Sequence, residues 1–346
     1  MTLQKNAQPN GRIDDAPSRA WTCGRCVNLI AILFFMFAAA QSAIAFELVP
    51  SDIYSSNYFS LTIDHYTPAG SYIDSFSLPP SIGSEARGMA FGPNGWLYVV
   101  VVTGSNFGVV ALDSSGSVQA TYSGPGYVGG NLSYGKIAFG KNGQFFVGGA
   151  DNLVAFTVGS PNGTVIYTNN QIFDVKGLPS GNLLVLSAYQ LQEITTTGSV
   201  VKTIIPDTII SFVDARGVEF DPLTNKIYVT MLGYTGQFFQ LMRFDGGTGH
   251  LEKSVFFWYG DDIFLTSDDR LIVGSRTQAP AIFDLDLNQI AVLNGGQQMF
   301  VTQMPPAASV AMTPVPLLPR ALIVLLCVLV IISGSAHLTY NRLFMR

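Results

Sequence analysis

Cysteine is missing from the whole middle of the chain, since Cys23, Cys26 and Cys327 are the three it has. A domain built there has no disulfide to hold it and must rely on an apolar core. Cys23 and Cys26 form a C-x-x-C, but with no second pair and no histidine beside them they do not read as a zinc or redox centre. Histidine is nearly as rare, with His65, His250 and His337 alone. A Ser-His-Asp arrangement finds no support among them, and His65 and His250 read as surface residues. Charged residues make up only 12% of the chain. Between positions 46 and 315 there are 21 acidic and 11 basic residues and no basic cluster. That excludes nucleic-acid binding, which needs cations to displace phosphate counterions. The glycine pairs Gly148-Gly149, Gly246-Gly247 and Gly295-Gly296 open no helix, so they are turns rather than phosphate loops.

What is present starts with two apolar ends. Arg19 and Arg25 precede an apolar run from Val27 to Ala40, and Ala43-Ile44-Ala45 supplies a small-x-small cleavage pattern. Residues 1–45 therefore read as a signal peptide, with an uncleaved N-terminal anchor as the alternative. Near the other end, Ala321 to Ala336 is uninterrupted by charge and extends toward Tyr340, approaching the length of a bilayer-spanning helix. Arg342 and Arg346 follow it and favour a cytoplasmic C-terminus. A proline-rich linker, 305–319, separates this transmembrane segment, 320–346, from what precedes it. The expected product is exported and sits at the cell envelope or cell surface on a single membrane pass.

Residues 46–304 carry internal repeats. An apolar strand, a Gly/Ser/Pro/Asp turn and a second apolar strand recur six times, anchored at Ile63, Leu112, Phe156, Ile194, Phe244 and Phe283. These anchors average 44 residues apart. In five units another hairpin precedes the first, as in Arg87 to Phe91 turning at Pro93-Asn94-Gly95 into Trp96 to Val100. Asn-Gly is a strong hairpin signal because both residues tolerate positive φ. Four strands per unit of this length is the signature of a propeller blade. Strands such as Leu183 to Leu186 are apolar throughout, as expected of sheets buried on both faces. The fold class is all-β, a six-bladed β-propeller. The first unit lacks a convincing inner strand, and the spare segment Gln298 to Gln303 is expected to supply it, closing the ring end to end. A monomer is expected.

The stretch Ala86 to Val99 and its echo Ala215 to Val229 resemble blades of NHL-like propellers, a group that includes gluconolactonase-like and streptogramin-lyase-like proteins. The resemblance covers most of residues 51–304 and implies the fold. It does not single out one activity, because members include binding scaffolds, lactonases and lyases. The histidine base of the lyase-like members has no match at an inner-strand start, and the metal ligands of the gluconolactonase-like members have no motif here. The tail from Thr313 to Pro319, followed by an apolar helix and basic residues, resembles PEP-CTERM-type sorting signals, which imply a sorting transpeptidase as partner. It has no Pro-Glu-Pro, and a plain membrane anchor is the other reading.

Propeller sites lie at a mouth of the central channel, near the starts of the inner strands. Alignment of the hairpins puts Arg87, Lys136, Asp174, Arg216, Asp261 and Asp262 there, with Asp214 close by. Converging opposite charges either bind a polar ligand or neutralise one another. No cofactor is required by any motif. Asp174, Asp214 and Asp261 could hold a divalent cation such as calcium. Two functions follow. One is a scaffold that binds a protein, a small molecule or a carbohydrate, and the other is a metal-assisted hydrolase or lactonase. The aromatic run Phe256-Phe257-Trp258-Tyr259 is read as packing between blades, with a sugar platform as the alternative.

Overall fold

The computed structural model describes residues 46–57, 59–104, 106–126, 135–169, 171–188, 190–205, 215–231 and 239–306. The signal peptide, nearly all of the proline-rich linker, the C-terminal hydrophobic segment and Asp214 lie outside the described residues. Among the described residues no helix is long and apolar enough to cross a membrane.

Six four-stranded antiparallel sheets form the propeller. Blades 2 to 6 each take four consecutive strands, with inner strands Glu85–Phe91, Ile137–Phe139, Ile172–Gly177, Ala215–Asp221 and Gly260–Leu265. All six repeat anchors fall in the third strand of their blade. The second strands are buried end to end, as in Leu183–Ser187, or nearly so, as in Leu97–Thr103. Their apolar composition follows from sandwiching between neighbouring blades. Fourth strands such as Val200–Ile205 alternate less and face solvent.

Blade 1 closes the ring. Its inner strand is Phe300–Gln303 from the end of the domain, paired with Ile53–Ser56 in the register Ile53↔Gln303 to Ser56↔Phe300. The expected closure is present. Ile53–Ser56, the second strand, escaped notice because two of its four residues are serines, although Ser55 and Ser56 are fully buried.

Here the upper face is the one where inner strands begin. The lower face carries tight turns within the hairpins, such as Gly95 N–H to the Gly92 carbonyl and Gly116 N–H to the Asp113 carbonyl. Both ends of the domain lie at the lower face. Leu48 N–H donates to the Ser114 carbonyl in the blade 2 turn, and Ser51 N–H donates to the Met304 carbonyl at 2.9 Å.

Blades 2 to 5 share one core cluster. In it Phe145 stacks on Phe156 at 4.8 Å and meets Tyr98 at 5.2 Å. Each such ring is fully enclosed, and burying one contributes about 1.5–3 kcal/mol. Near the axis the inner strands come so close that side chains must vanish. A Cβ on Gly88 would lie 2.5 Å from the Gly135 carbonyl oxygen, whose hydrogen bond from Gly88 N–H joins blades 2 and 3.

Candidate functional site

The charged residues at the starts of the inner strands sit on β-bulges. Pairing slips between Ala86 and Met89, Ile172 and Asp174, Ala215 and Gly217, and Gly260 and Asp262. Arg87, Arg216 and Asp261 fall within these insertions, and Asp174 and Asp262 follow directly after. In blade 3 Gly148 bonds both Gly135 and Lys136. A bulge re-aims the side chains around it, and here repetition turns charged groups toward the axis.

These groups are buried. Lys136 is 2% exposed, Asp174 1%, Asp261 0% and Asp262 5%. The Lys136 ammonium crosses the channel to three other blades. It lies 3.5 Å from Asp174 Oδ2 and 3.2 Å from Asp262 Oδ1, and it donates to the carbonyls of Arg216 and Asp261. Asp174 also accepts from Val175 N–H at 2.7 Å and Val218 N–H at 2.8 Å, while Asp262 Oδ2 accepts from Val301 N–H at 3.0 Å. Asp261 is turned to Arg276, whose Nε donates to both of its oxygens at 3.0 Å. The Arg216 guanidinium lies over the Phe173 ring at 5.4 Å, and Arg87 pairs with Glu85 at 2.9 Å. Burial pushes the Asp174 carboxyl above the usual aspartate range, against the pull of Lys136 and Lys176.

Further down the channel Lys176 pairs with Glu219 at 3.2 Å. Glu219 accepts from Phe220 N–H and Leu265 N–H, and burial raises its carboxyl too. This pair lines a cavity of about 340 Å³ at the lower mouth, walled by Phe91, Phe139, Phe220 and Phe264, with Pro305 at its margin. No residue in that wall was singled out in the sequence, because each apolar ring near the end of an inner strand reads as ordinary core.

Of the six described candidates, Lys136, Asp174 and Asp262 pair directly, Arg216 and Asp261 join them through their carbonyls, and the side chains of Arg87, Arg216 and Asp261 are turned to Glu85, Phe173 and Arg276. Among the described residues no group of three or more His, Cys, Asp or Glu side chains could hold a metal ion. At the axis two carboxylates and two carbonyls converge on the Lys136 ammonium.

Solved structures share this fold. A protein of unknown function from Bacteroides caccae is similar with a TM-score of 0.52 at 10% identity, over 74% of this chain and 99% of its own. Hydrazine synthase from Kuenenia stuttgartiensis gives 0.51 at 15% identity, over 71% and 79%. Regucalcin, a calcium-binding protein from Agrobacterium tumefaciens, gives 0.45 at 17%, over 62% and 76%. The chain is a six-bladed β-propeller. No protein-family model matches it, and no curated protein matches it. At these identities the likeness is one of fold.

Two regions depart from the sequence reading. His65 is 3% exposed rather than a surface residue. Its Nε2 meets Asp52 Oδ2 at 2.7 Å, its Nδ1 meets Asp74 Oδ1 at 2.9 Å, and its ring stacks on Tyr54 at 4.7 Å. Its partners lie 9 to 13 residues away, on the neighbouring strand Tyr72–Ser77 and in and just before Ile53–Ser56, the strand the sequence did not reveal. His250 is exposed, as expected. The aromatic run also divides. Phe257 is 4% exposed and packs edge-on against Phe283, whereas Phe256 and Trp258 are 59% and 48% exposed. Packing between blades therefore accounts for Phe257 and, through its contact with Phe239 of blade 5 at 4.1 Å, for Tyr259, and leaves Phe256 and Trp258 exposed. Behind Trp258, Phe239 and Tyr259 hold positive φ of 60° and 46°. For bulky residues that costs on the order of 1–3 kcal/mol each and persists only where the surroundings enforce it.

Proposed function

We propose that this propeller is exported, is held at the cell envelope by its C-terminal hydrophobic segment with the C-terminus cytoplasmic, and works as a binding scaffold for a protein or small-molecule ligand. The observation that carries the scaffold reading is the Lys136 ammonium on the axis. The carboxylates Asp174 and Asp262 serve it, and Asp261 serves Arg276, so the upper channel acts as a fixed internal hub rather than a set of open ligands. Buried, mutually paired charge of this kind fixes geometry across blades.

A tether is supported by the apolar run from Ala321 to Ala336. Both described ends of the domain lie at the lower face, and on this reading the lower face is nearer the bilayer. The upper face then meets the ligand. The tail serves either as a lasting anchor or as the substrate of a sorting transpeptidase.

The competing reading is a metal-assisted hydrolase or lactonase using the neighbourhood of Asp174, Asp214 and Asp261, with calcium as the ion. Elemental analysis and thermal melting of the full chain, with and without calcium, separate the two. The scaffold reading expects no stoichiometric ion and no shift of the midpoint. A bound ion with a raised midpoint supports the hydrolase instead.

A further inference from the structure

The strand Leu251–Phe256 ends blade 5 at the upper face, and residues 257–259 cross from there to the inner strand of blade 6. Phe256 and Trp258 present their rings to solvent at 84° to each other, with centroids 5.3 Å apart. They form an open corner with two aromatic walls.

The corner is braced from behind. Trp258 stacks on Tyr259 at 6.0 Å and leans on Phe239 at 4.6 Å, and Phe239 meets Tyr259 at 4.1 Å. Phe257 N–H donates to the Phe239 carbonyl at 2.8 Å, and Ser275 Oγ donates to the Trp258 carbonyl at 2.9 Å. The left-handed backbone at Phe239 and Tyr259 is the conformation that aims these rings. Rings fixed before binding lose little freedom when a ligand arrives.

Among the described residues, the polar side chains that lead away from the Trp258 carbonyl are uncharged. Ser275 Oγ lies 3.4 Å from Thr277 Oγ1, and Gln297 Nε2 reaches the Thr277 carbonyl at 3.5 Å. Thr277 and Gln297 are both exposed. The charges closest in sequence are engaged elsewhere: Glu252 pairs with Lys226 and Arg243, Lys253 donates to the Asp286 carbonyl, and Asp261 is bonded to Arg276. Such a site suits a neutral molecule with a flat C–H face for the arene and hydroxyls for the amide and hydroxyl groups. A pyranose ring has that chemistry. Two rings make too small an apolar patch to anchor a stable protein interface, which takes about 1,200 Å² or more in total.

We propose that the Phe256–Trp258 corner binds neutral, pyranose-based glycans. This rests on the scaffold reading and names its ligand class.

The test is affinity electrophoresis of the full chain in a detergent without a sugar headgroup, in gels containing laminarin, hydroxyethyl cellulose, dextran or soluble xylan. At least one polymer should retard the wild type. Trp258→Ala should weaken that retardation by about tenfold or more, the effect of losing one stacking ring, while Trp258→Tyr keeps most of it. If Trp258→Ala lowers the melting midpoint, Phe256→Ala carries the same test on an exposed side chain outside the braced loop. Equal mobility of wild type and variants in all four gels overturns the proposal. A calcium-dependent melting shift with normal glycan retardation would overturn the scaffold reading alone.

Discussion

Lys136 in blade 3 and Asp262 in blade 6 meet across the channel, Nζ to Oδ1 at 3.2 Å, although their strands do not pair with each other. The same ammonium touches blades 4 and 5, so one side chain joins four of the six sheets. Removing one member of a buried charged set leaves its partners uncompensated.

Lys136→Met is expected to destabilise the domain by about 3–5 kcal/mol in chemical denaturation. Adding Asp174→Asn and Asp262→Asn to that variant should recover a large part of the loss, because no orphaned carboxylate remains. Lys136→Met should also acquire a calcium-dependent rise in melting midpoint, as the vacated oxygens become free to bind a cation. A variant as stable as wild type would show that the ammonium is not the hub described.

The pH dependence follows from two opposed groups of carboxyls. Burial raises Asp174, Glu219 and Asp64 in the folded state. Between the unfolded values, about 3.9 for Asp and 4.3 for Glu, and the raised ones, the folded state binds more protons, so stability falls as pH rises through that window. Surface carboxyls act the other way. Thr248 N–H and Oγ1, with Lys226, hold Asp245 down to about 2, and its contribution is lost as pH falls toward that value. The melting midpoint should therefore peak in mild acid, below neutrality. Asp174→Asn should flatten the descending limb, which a pH series of thermal melts reads directly.

Much of this architecture was legible in the sequence, and the reason is local. The Asn-Gly turns, the continuous apolar second strands and the repeat spacing all report on neighbours close in the chain. Ile53–Ser56 was not legible, because its buried serines are explained by the closing strand Phe300–Gln303 from the far end. His65 was missed along with that strand, because Asp52 and Tyr54, which enclose it, lie in or just before Ile53–Ser56. Lys136, Asp174, Asp261 and Asp262 were found as strand-start charges, but only the bulges show why they converge. The sequence also left undecided whether they face a ligand or each other.

Gly88→Ala tests the crowding at the axis. The added methyl meets the Gly135 carbonyl and the Lys136 backbone, so a loss of about 1–3 kcal/mol is expected. Gly296→Ala is the control, since nothing lies within 4 Å of a Cβ there, and it should leave stability nearly unchanged.

Ring closure is tested at Phe300, which is fully buried. Phe300→Ala should cost about 3–5 kcal/mol. Ending the chain after Met299 should do more, exposing the edge of Ile53–Ser56 and abolishing a single cooperative transition in calorimetry.

The pairing of Ile53–Ser56 with Phe300–Gln303 also decides how the domain bears mechanical load. Gln303 ends that inner strand at the lower face, so a load applied at its end acts along the strand. A pull between a ligand on the upper face and the tail runs parallel to that strand and strains all four of its residue pairs at once, in shear. A pull that separates the two chain ends at the lower face would instead part Ile53 from Gln303 first and peel the pairs one by one. The ring therefore resists best in the direction along which the proposed tether would load it.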